Sequence, residues 1–428
     1  MRLLVVCPDY ASHAVPMIEV AKAWVRRHGE AIVATGTATR PLVEAAGLVW
    51  VELRLGKGSN GGVIEAAEQP VGEDDHLRAF FAATRRGPVA TLQYQADARR
   101  HDLLFEPDRV YDRLREILAS VNPDRVVVDH VAFGARLALH ALGIDSATMV
   151  LGHPTALSAP DELYGLPPAW PSTIQPDPLE LTSLAVRCRE SVAELADAAD
   201  QFLVRRAPNR RPIDDLTASG GRPTVYVYPQ ALHDPRRPLP EHAVFVGSLA
   251  RREALGDVAP PHGDGLRVTV ALGSFLSARG DVLATAVAAA RRAGWRLALA
   301  SGSTAQWELG ELPPGALVMR HLPQVALLAE TDVFVHHGGN GSITECATAG
   351  VVSVVLPFST DQFAAAAAIE RVGCGIVLDP NSLTAATLQC AVEDLMASAF
   401  AVEQVRIVAA SASAGGGASA AAEAIATT

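Results

Sequence analysis

The chain has 428 residues, of which 49% are hydrophobic and 19% charged, and its formal net charge at pH 7 is -11. This composition excludes a disordered chain and is typical of a globular protein with two domains. The acidic balance excludes a basic nucleic-acid footprint, and no apolar run is long enough for a bilayer, so we expect neither partner.

The first elements predict a parallel sheet with covering helices. "RLLVVC" reads as a buried strand and is not followed by a leader cleavage site, so we expect a cytoplasmic protein. "PDYASH" is predicted as a loop, and "AVPMIEVAKAWVRRHG" as a helix with Pro16 in its first turn. The strand "EAIVATG" completes a strand–helix–strand unit. The same pattern recurs at "DRVVVDH", "ARLALHALG" and "SATMVL".

Two stretches, Val51 to Arg109 and Gly152 to Pro178, show no clear period and are predicted to be irregular. Long loops in a compact domain are often lids or binding walls. Both stretches contain aromatic side chains that suit a flat apolar ligand, although core packing explains them equally well. These side chains are Phe80, Phe81, Tyr94, Tyr164 and Trp170.

A second alternation of strands and helices begins at "LRVTVALGS" and continues through "RLALASG", "ALVMRHLP", "DVFVHHGG" and "VVSVVLPF". We therefore predict an α/β protein with two doubly wound domains. The N-terminal domain is expected over residues 1–249, a Pro/Gly-rich linker over 250–265 and the C-terminal domain over 266–400. Residues 401–428 are predicted to form a helical tail that returns to the N-terminal domain.

The five cysteines are scattered and include no CxxC pair. This distribution argues against a disulfide framework or a zinc site and favours buried free thiols.

The segment "VFVHHGGNGSITE", residues 333–345, has the features of an anion site. It ends a strand at the carboxyl edge of a parallel sheet, where ligands bind in open α/β folds. Gly338, Gly339 and Gly341 would allow a phosphate to approach the backbone, and His337 and Ser342 can donate hydrogen bonds. A helix starting at Ser342 would direct unpaired N–H groups at the anion.

A purely structural explanation competes with this interpretation. Ser342 and Glu345 fit the capping box S-x-x-E, which requires no ligand. The segment lacks the GK[ST] of a P-loop, and its glycines do not match G-x-G-x-x-G.

The surrounding residues, Arg320 to Gly375, resemble the donor-binding signature of glycosyltransferase family 1. The matching positions are Pro323-Gln324, His337-Gly338-Gly339, Ser342, Glu345, Gly350, Pro357 and Asp361-Gln362. The family includes UDP-glucosyltransferases and bacterial antibiotic and natural-product glycosyltransferases. The resemblance implies the GT-B fold, in which two Rossmann-like domains face each other across a cleft. It also implies that the C-terminal domain binds the nucleotide sugar and the N-terminal domain the acceptor.

The resemblance assigns parts of the donor to individual residues. It implies that His337, Gly339 and Ser342 bind the diphosphate and that Glu345 binds the ribose hydroxyls. The sugar hydroxyls are expected on Asp361 and Gln362, with a second phosphate contact from Ser274 in "LGSF". The full implied donor site is Ser274, His321, Pro323, Gln324, His337, Gly338, Gly339, Asn340, Gly341, Ser342, Glu345, Asp361 and Gln362.

The chain departs from the family pattern at two of these positions. His321 stands where many members have a tryptophan that stacks on the base, which leaves the base preference open. Asn340 replaces the usual Ala or Trp; it can adopt a left-handed backbone or reach the phosphate, and both alternatives stay open.

His13, in "DYASHAVP", is the candidate general base, since it resembles the histidine of the family motif GHxxP with Ser12 in place of Gly. Asp129, at the end of "DRVVVD", resembles the carboxylate that orients this histidine. A helix N-cap is the structural alternative for Asp129, and a surface loop position the alternative for His13. His130 is a competing histidine, and Asp9 a weaker partner.

The expected reaction is one in-line displacement with inversion, of the hexosyltransferase type. No D-x-D motif occurs, so we expect no essential metal and no cofactor apart from the donor, a TDP-deoxysugar or UDP-sugar. The expected acceptor is a hydroxyl of a small natural-product aglycone. Alternatives are a GT-B nucleotide-sugar epimerase, an N-acetylglucosaminyltransferase and an inactive donor-binding homologue. The sequence does not indicate the oligomeric state.

Overall fold

The protein was analysed as a computed structural model that describes residues 1–62, 73–218, 221–249 and 253–427, with backbone alone at 73–74, 99–102 and 274. These residues form two parallel sheets, each covered by helices on both faces. The central strands are continuous apolar runs, because a parallel sheet buried on both faces offers no solvated side for polar residues. The predicted α/β class with two doubly wound domains is confirmed.

The N-terminal sheet has seven strands in the order β3-β2-β1-β4-β5-β6-β7. The strands are β1 (Arg2–Val6), β2 (Glu30–Thr35), β3 (Val49–Glu52), β4 (Arg125–Asp129), β5 (Ala147–Val150), β6 (Thr224–Tyr226) and β7 (Ala243–Phe245). Val6 pairs with Val128 of β4, and Asp129 pairs with Met149 of β5. The segments that follow β1, β4 and β5 therefore emerge at one edge of the sheet.

The C-terminal sheet has six strands in the order β10-β9-β8-β11-β12-β13. The strands are β8 (Arg267–Ala271), β9 (Arg296–Ala300), β10 (Leu317–Met319), β11 (Val333–His336), β12 (Val352–Val355) and β13 (Gly375–Val377). His336, the last residue of β11, pairs with Ala271 of β8 and Val355 of β12. The turns after β8, β11 and β12 therefore lie side by side.

Fifteen helices connect and cover these strands in the described part of the chain. In the N-terminal half they are α1 (Ala11–Arg27), α2 (Arg40–Ala45), α3 (Glu73–Arg86), α4 (Pro88–Asp102), α5 (Pro107–Val121), α6 (Phe133–Leu142) and α7 (Pro178–Arg206). In the C-terminal half they are α8 (Gly273–Leu276), α9 (Gly280–Ala293), α10 (Gln324–Leu328), α11 (Asn340–Ala349), α12 (Gln362–Val372) and α13 (Ala385–Ala397), followed by α14 (Ala399–Ala414) and α15 (Gly417–Ala426).

The prediction that Val51 to Arg109 is irregular is wrong over much of its length, because α3 and α4 lie within it. Val89, Leu92 and Ala96 are buried along α4 at spacings of three and four residues, which is the period of a helix face. Ala90 and Tyr94 stand among the polar residues between them, so the period is not evident in the sequence. In contrast, residues 152–177 contain only a short 3-10 turn, Pro154–Ala156, before α7, whose N-cap is Asp177.

The last helix, α15, packs against the N-terminal half. Ala421, Ala422 and Ile425 are buried in the same core cluster as β1 and α1. The guanidinium of Arg27 donates to Glu423 at 2.8 Å on the surface above this contact. The end of the chain therefore ties the two halves together through apolar burial, with an exposed ion pair that adds little.

The five cysteines are free thiols, and the prediction that they are buried is wrong for Cys390, which is exposed on α13. Among the helices described, none is by itself long and apolar enough to cross a bilayer; α13 and α14 pass such a test only as a pair, bent by 77°.

Candidate active site

His13 and Asp129 form a hydrogen-bonded pair at the carboxyl edge of the N-terminal sheet. Nδ1 of His13 lies 2.8 Å from Oδ2 of Asp129, whose side chain is fully buried. His13 occupies the first turn of α1 and not the predicted loop, since α1 begins at Ala11. Pro16 lies beyond that first turn, in the helix interior. Because a carboxylate can only accept, Nδ1 carries a proton, and in the neutral imidazole Nε2 has the lone pair.

The environment shifts the pKa of both groups. Burial alone would lower the pKa of His13, but the charge of Asp129 and the hydrogen bond to it outweigh burial and raise that pKa. Burial would raise the pKa of Asp129, yet the charge of His13 and hydrogen bonds from His13 and His130 hold it well below its usual range. Asp129 is therefore an anion at neutral pH.

The other candidate partners are engaged differently. Asp9 accepts hydrogen bonds from the backbone of Ala38 and Thr39 and from the Thr39 hydroxyl, so it holds the start of α2. His130 shares Asp129 with His13, because its Nδ1 lies 3.1 Å from Oδ1 of the carboxylate. Asp129 is not a helix N-cap, since the cap of α6 is Ala132.

The turn after β11 leads directly into α11, whose N-cap is Gly339 and whose first residue is Asn340. No side chain caps this helix. The expectations that Ser342 opens the helix and forms a capping box with Glu345 are therefore wrong, because Ser342 already lies in the first turn. A glycine cap without a side chain leaves the first N–H groups of α11 available to an anion.

The two histidines before this turn are neutral. Burial lowers the pKa of His337 to about 4, against an opposing hydrogen bond to the backbone of Ala271. Burial, followed by the charge of His337, lowers the pKa of His336 to about 3. Nδ1 of His336 accepts the N–H of Gly338 at 3.0 Å. Nδ1 of His337 and Nε2 of His336 are buried without a hydrogen-bond partner among the described residues.

Glycines make room for the His337 ring. A Cβ at Gly339 would overlap the imidazole, and a Cβ at Gly273 would lie 2.7 Å from its Cε1. Gly338 has a φ of +83°, which disfavours any side chain at this position. A Cβ at Gly341 would meet no atom within 4 Å, so this residue faces open space.

Asn340 links the two halves of the protein. Its Nδ2 donates to the carbonyl of Val227, the residue after β6, at 2.9 Å, while its Oδ1 is buried without a partner in the described structure. Asn340 is the first residue of α11 and is not among the residues with positive φ. The left-handed alternative is therefore wrong, and the side chain reaches the N-terminal half.

Glu345 and Gln324 form a second pair beside the turn. Nε2 of Gln324 donates to Oε2 of Glu345 at 2.6 Å. Pro323 is the N-cap of α10, which Gln324 begins. The ring of His321 faces Gly62 of the N-terminal half, where an added Cβ would lie 3.6 Å from its Cε1 and Nε2. These residues form the wall of the C-terminal half beside α11.

Asp361 lies where the two halves meet. Its Oδ2 accepts the N–H of His153, after β5, at 2.6 Å, and its Oδ1 accepts the hydroxyl of Thr360 at 3.0 Å. Gly152 permits this approach, because a Cβ there would lie 2.8 Å from Oδ2 of Asp361 and 3.5 Å from Nε2 of His130. The charge of Asp361 also raises the pKa of His13, and the ring of His130 lies 6.1 Å from the His13 ring between centroids.

Gln362 is turned inward. Its Oε1 accepts the N–H groups of Phe358 at 2.9 Å and Ser359 at 3.2 Å. The carbonyl end of the side chain therefore closes the loop before α12.

Ser274 and the five aromatic residues are the remaining predicted positions. The side chain of Ser274, whose backbone lies in α8, is outside the described atoms. The five aromatic side chains mostly pack on other rings: Phe80 lies 5.0 Å from Phe275, and Trp170 lies 4.8 Å from Phe363, between ring centroids. In the described part of the chain, no group of three His, Cys, Asp or Glu residues is arranged to hold a metal ion.

Sequence reasoning missed Gly152 and Thr360, which adjoin Asp361, and Gln95, which contacts Thr360. Thr360 has a φ of +51°, and its N–H donates to Oε1 of Gln95 at 3.3 Å. No sequence signal identifies a left-handed threonine. Gly152 directly follows the predicted strand "SATMVL", and this position at a strand end is the signal that identifies it.

Comparison with known proteins identifies relatives for both halves. Residues 297–422 match the erythromycin biosynthesis protein CIII-like C-terminal domain. The chain is 26% identical to tylactone mycaminosyltransferase of Streptomyces fradiae over 413 residues, covering 92% of this chain and 84% of the relative. It is 23% identical to the NDP-glycosyltransferase YjiC of Bacillus subtilis, covering 68% of this chain and 69% of the relative.

A solved structure matches the whole architecture. The calicheamicin glycosyltransferase CalG4 superposes with a TM-score of 0.72 at 20% identity, covering 100% of this chain and 97% of that structure. At this identity the match establishes the fold. The resemblance carried by Arg320 to Gly375 is thereby confirmed: the chain has the GT-B fold and the C-terminal domain of the antibiotic and natural-product glycosyltransferases.

Proposed function

We propose that the protein is an inverting, metal-independent glycosyltransferase that moves a sugar from a TDP-deoxysugar or UDP-sugar to a hydroxyl of a small natural-product aglycone. The observation that carries this proposal is the 2.8 Å contact between His13 and buried Asp129. Asp361 of the opposite half approaches the same corner, since a Cβ at Gly152 would lie 2.8 Å from its Oδ2 and 3.5 Å from Nε2 of His130. A base and a sugar-binding carboxylate thus meet between the two domains.

His13 acts as the general base. Asp129 holds Nδ1, so Nε2 is the atom that takes the proton from the acceptor hydroxyl. The hydroxyl oxygen forms a bond to the anomeric carbon as the bond from that carbon to the diphosphate breaks. Asp129 stabilises the imidazolium that results, which its anionic state at neutral pH allows. Attack opposite the leaving group inverts the configuration.

The leaving diphosphate lies at the N-terminus of α11. Three features support this position: the helix lacks a side-chain cap, Gly341 faces open space, and Nδ1 of His337 is buried without a partner among the described residues. An anion there meets the N–H groups and positive end of the helix. It would also favour the charged form of His337, which is neutral otherwise.

The remaining donor contacts follow the family pattern. Glu345 binds the ribose, His321 faces the base, and Asp361 binds sugar hydroxyls through lone pairs not used by His153 and Thr360. Gln362 contributes through its amide nitrogen, because its Oε1 is already bonded to the loop backbone.

Calorimetric titration with UDP and TDP in the presence of EDTA tests the donor site. We expect one of them to bind and to compete with its nucleotide sugar. Incubation of that nucleotide sugar with a panel of hydroxylated aglycones should then give a glycoside of inverted anomeric configuration by NMR. Failure of both nucleotides to bind would refute the proposal; binding with epimerised donor and no glycoside would favour the epimerase alternative.

A further inference from the structure

Thr360 is the most strained residue that adjoins the proposed sugar site. It is β-branched and has a φ of +51°, a region that such residues almost never occupy. Strain of this kind persists only where the surrounding structure enforces it, and it is concentrated at functional sites. The next residue is Asp361. The contacts that hold Thr360 therefore also decide where this carboxylate lies.

The N-terminal half supplies a direct contact to the strained backbone. Oε1 of Gln95, on α4, accepts the N–H of Thr360 at 3.3 Å across the domain boundary. Thr360 in turn donates its hydroxyl to Oδ1 of Asp361 at 3.0 Å. Gln95 thus reaches the carboxylate through a single intermediate residue.

The rest of this loop is fixed on both sides. Before Thr360, Gln362 closes the loop through its bonds to Phe358 and Ser359. After it, Phe363 is fully buried and packs on Trp170 in a cluster that also contains Leu92 of α4. The helix that carries Gln95 is therefore held in register with the loop by apolar packing. The residues on either side of Thr360 have their own contacts, and the backbone N–H of Thr360 itself is held by Gln95.

We infer that Gln95 is a positioning residue for Asp361, acting through Thr360, and that it determines how strongly the protein prefers a nucleotide sugar over the free nucleotide. This inference rests on the proposed function, since it requires Asp361 to bind the sugar. Without the Gln95 contact, Thr360 can relax out of the left-handed region, and its hydroxyl then leaves Oδ1. The diphosphate site at α11 is not part of this chain of contacts.

The test is the ratio of affinities for UDP-glucose over UDP and for TDP-glucose over TDP, measured by calorimetry. Gln95→Ala should lower the ratio about fivefold, as expected for loss of one hydrogen bond, with the nucleotide affinity unchanged. Gln95→Glu retains an acceptor oxygen and should restore the wild-type ratio. Gln93→Ala removes a glutamine from the same helix and is the matched control, expected to leave the ratio unchanged.

Thr360 provides a second measurement if Gln95→Ala does not fold. Thr360→Gly tolerates the left-handed backbone but loses the hydroxyl, so the ratio should fall, whereas Thr360→Ser keeps the hydroxyl and should preserve it. An unchanged ratio in both Gln95→Ala and Thr360→Gly would overturn the inference, as would equal losses for nucleotide and nucleotide sugar.

The failures of the two proposals are distinguishable. A wild-type protein that binds UDP or TDP and gains nothing from the attached glucose contradicts the inference and leaves the diphosphate site intact. A protein that binds no nucleotide refutes the proposed function and the inference with it.

Discussion

The corner of the N-terminal sheet around His13 and Asp129 differs from the turn before α11 in how many buried polar atoms are hydrogen-bonded within the protein. In the corner, Oδ2 of Asp129 bonds His13, while Oδ1 accepts from Val131 and lies 3.1 Å from His130. In the turn, Nε2 of His336 and Nδ1 of His337 are buried without a partner among the described residues. The first region is complete by itself, and the second is not.

This difference corresponds to two kinds of chemistry. A general base must be oriented before the substrate arrives, so its hydrogen bonds are internal to the protein. An anion site keeps its donors unpaired, because the ligand supplies the acceptors. Each unsatisfied buried group costs about 1–3 kcal/mol, and a ligand that pairs with it recovers part of that cost on binding.

Removal of the proposed base His13 should have the largest effect on activity. His13→Ala should lower turnover by about 10²- to 10⁴-fold, the usual contribution of a positioned base, and leave nucleotide affinity unchanged. Turnover is measured with saturating donor, and affinity by calorimetry. Retention of wild-type turnover would remove His13 from the mechanism, and a matching loss of affinity would place it in the donor site.

Asp129→Asn tests whether the carboxylate tunes this base. His13 must be unprotonated to act, so activity falls as the pH drops through its pKa, which Asp129 raises. Loss of that charge lowers the pKa, and the acid limb of kcat/KM should therefore move to lower pH. The plateau should fall about a hundredfold because the tautomer and the imidazolium are less well supported. The pH–rate profile is the measurement; an acid limb at the wild-type position would contradict this role.

The sequence alone predicted the two sheet edges at which these regions lie. Apolar runs such as "RLLVV" and "RVVVD" predicted central strands, and parallel strands place the residues that follow them at one edge. Strands of three residues, such as β6 and β7, contain too few residues for a period to be recognised. The GT-B fold was inferred from the Arg320 to Gly375 motif and is confirmed, whereas the roles of the site residues remain predictions.

Contacts between the halves were beyond sequence reasoning. Asn340 and Val227 are 113 residues apart, and Thr360 and Gln95 are 265 apart. Such pairs depend on how two independently formed sheets face each other, which local patterns do not encode. The predicted start of α11 was also wrong. Serine is a common N-cap residue and glycine has no capping side chain, so the sequence favoured Ser342 over Gly339 as the cap.

His337→Ala tests whether the turn before α11 binds the diphosphate. Loss of a hydrogen bond to a charged phosphate should weaken UDP or TDP binding about tenfold, with little effect on turnover at saturating donor. His242→Ala, at an exposed histidine directly before β7, is the control. The affinity should also fall as the pH rises above the pKa that His337 has in the complex. Equal affinity of variant and wild type would exclude His337 from the diphosphate site.

Glu345→Gln should have the smallest effect and separates a ligand contact from an internal one. Glu345 already accepts from Gln324 at 2.6 Å, so a purely structural role would change UDP and TDP binding equally. If its carboxylate also binds the ribose, UDP should lose more, because TDP lacks the 2′-hydroxyl. The expected loss for UDP is about threefold, because the amide oxygen of glutamine still accepts from the ribose but lacks the charge of the carboxylate. Equal losses in the two titrations would assign Glu345 to the internal pair with Gln324 and exclude it from the donor site.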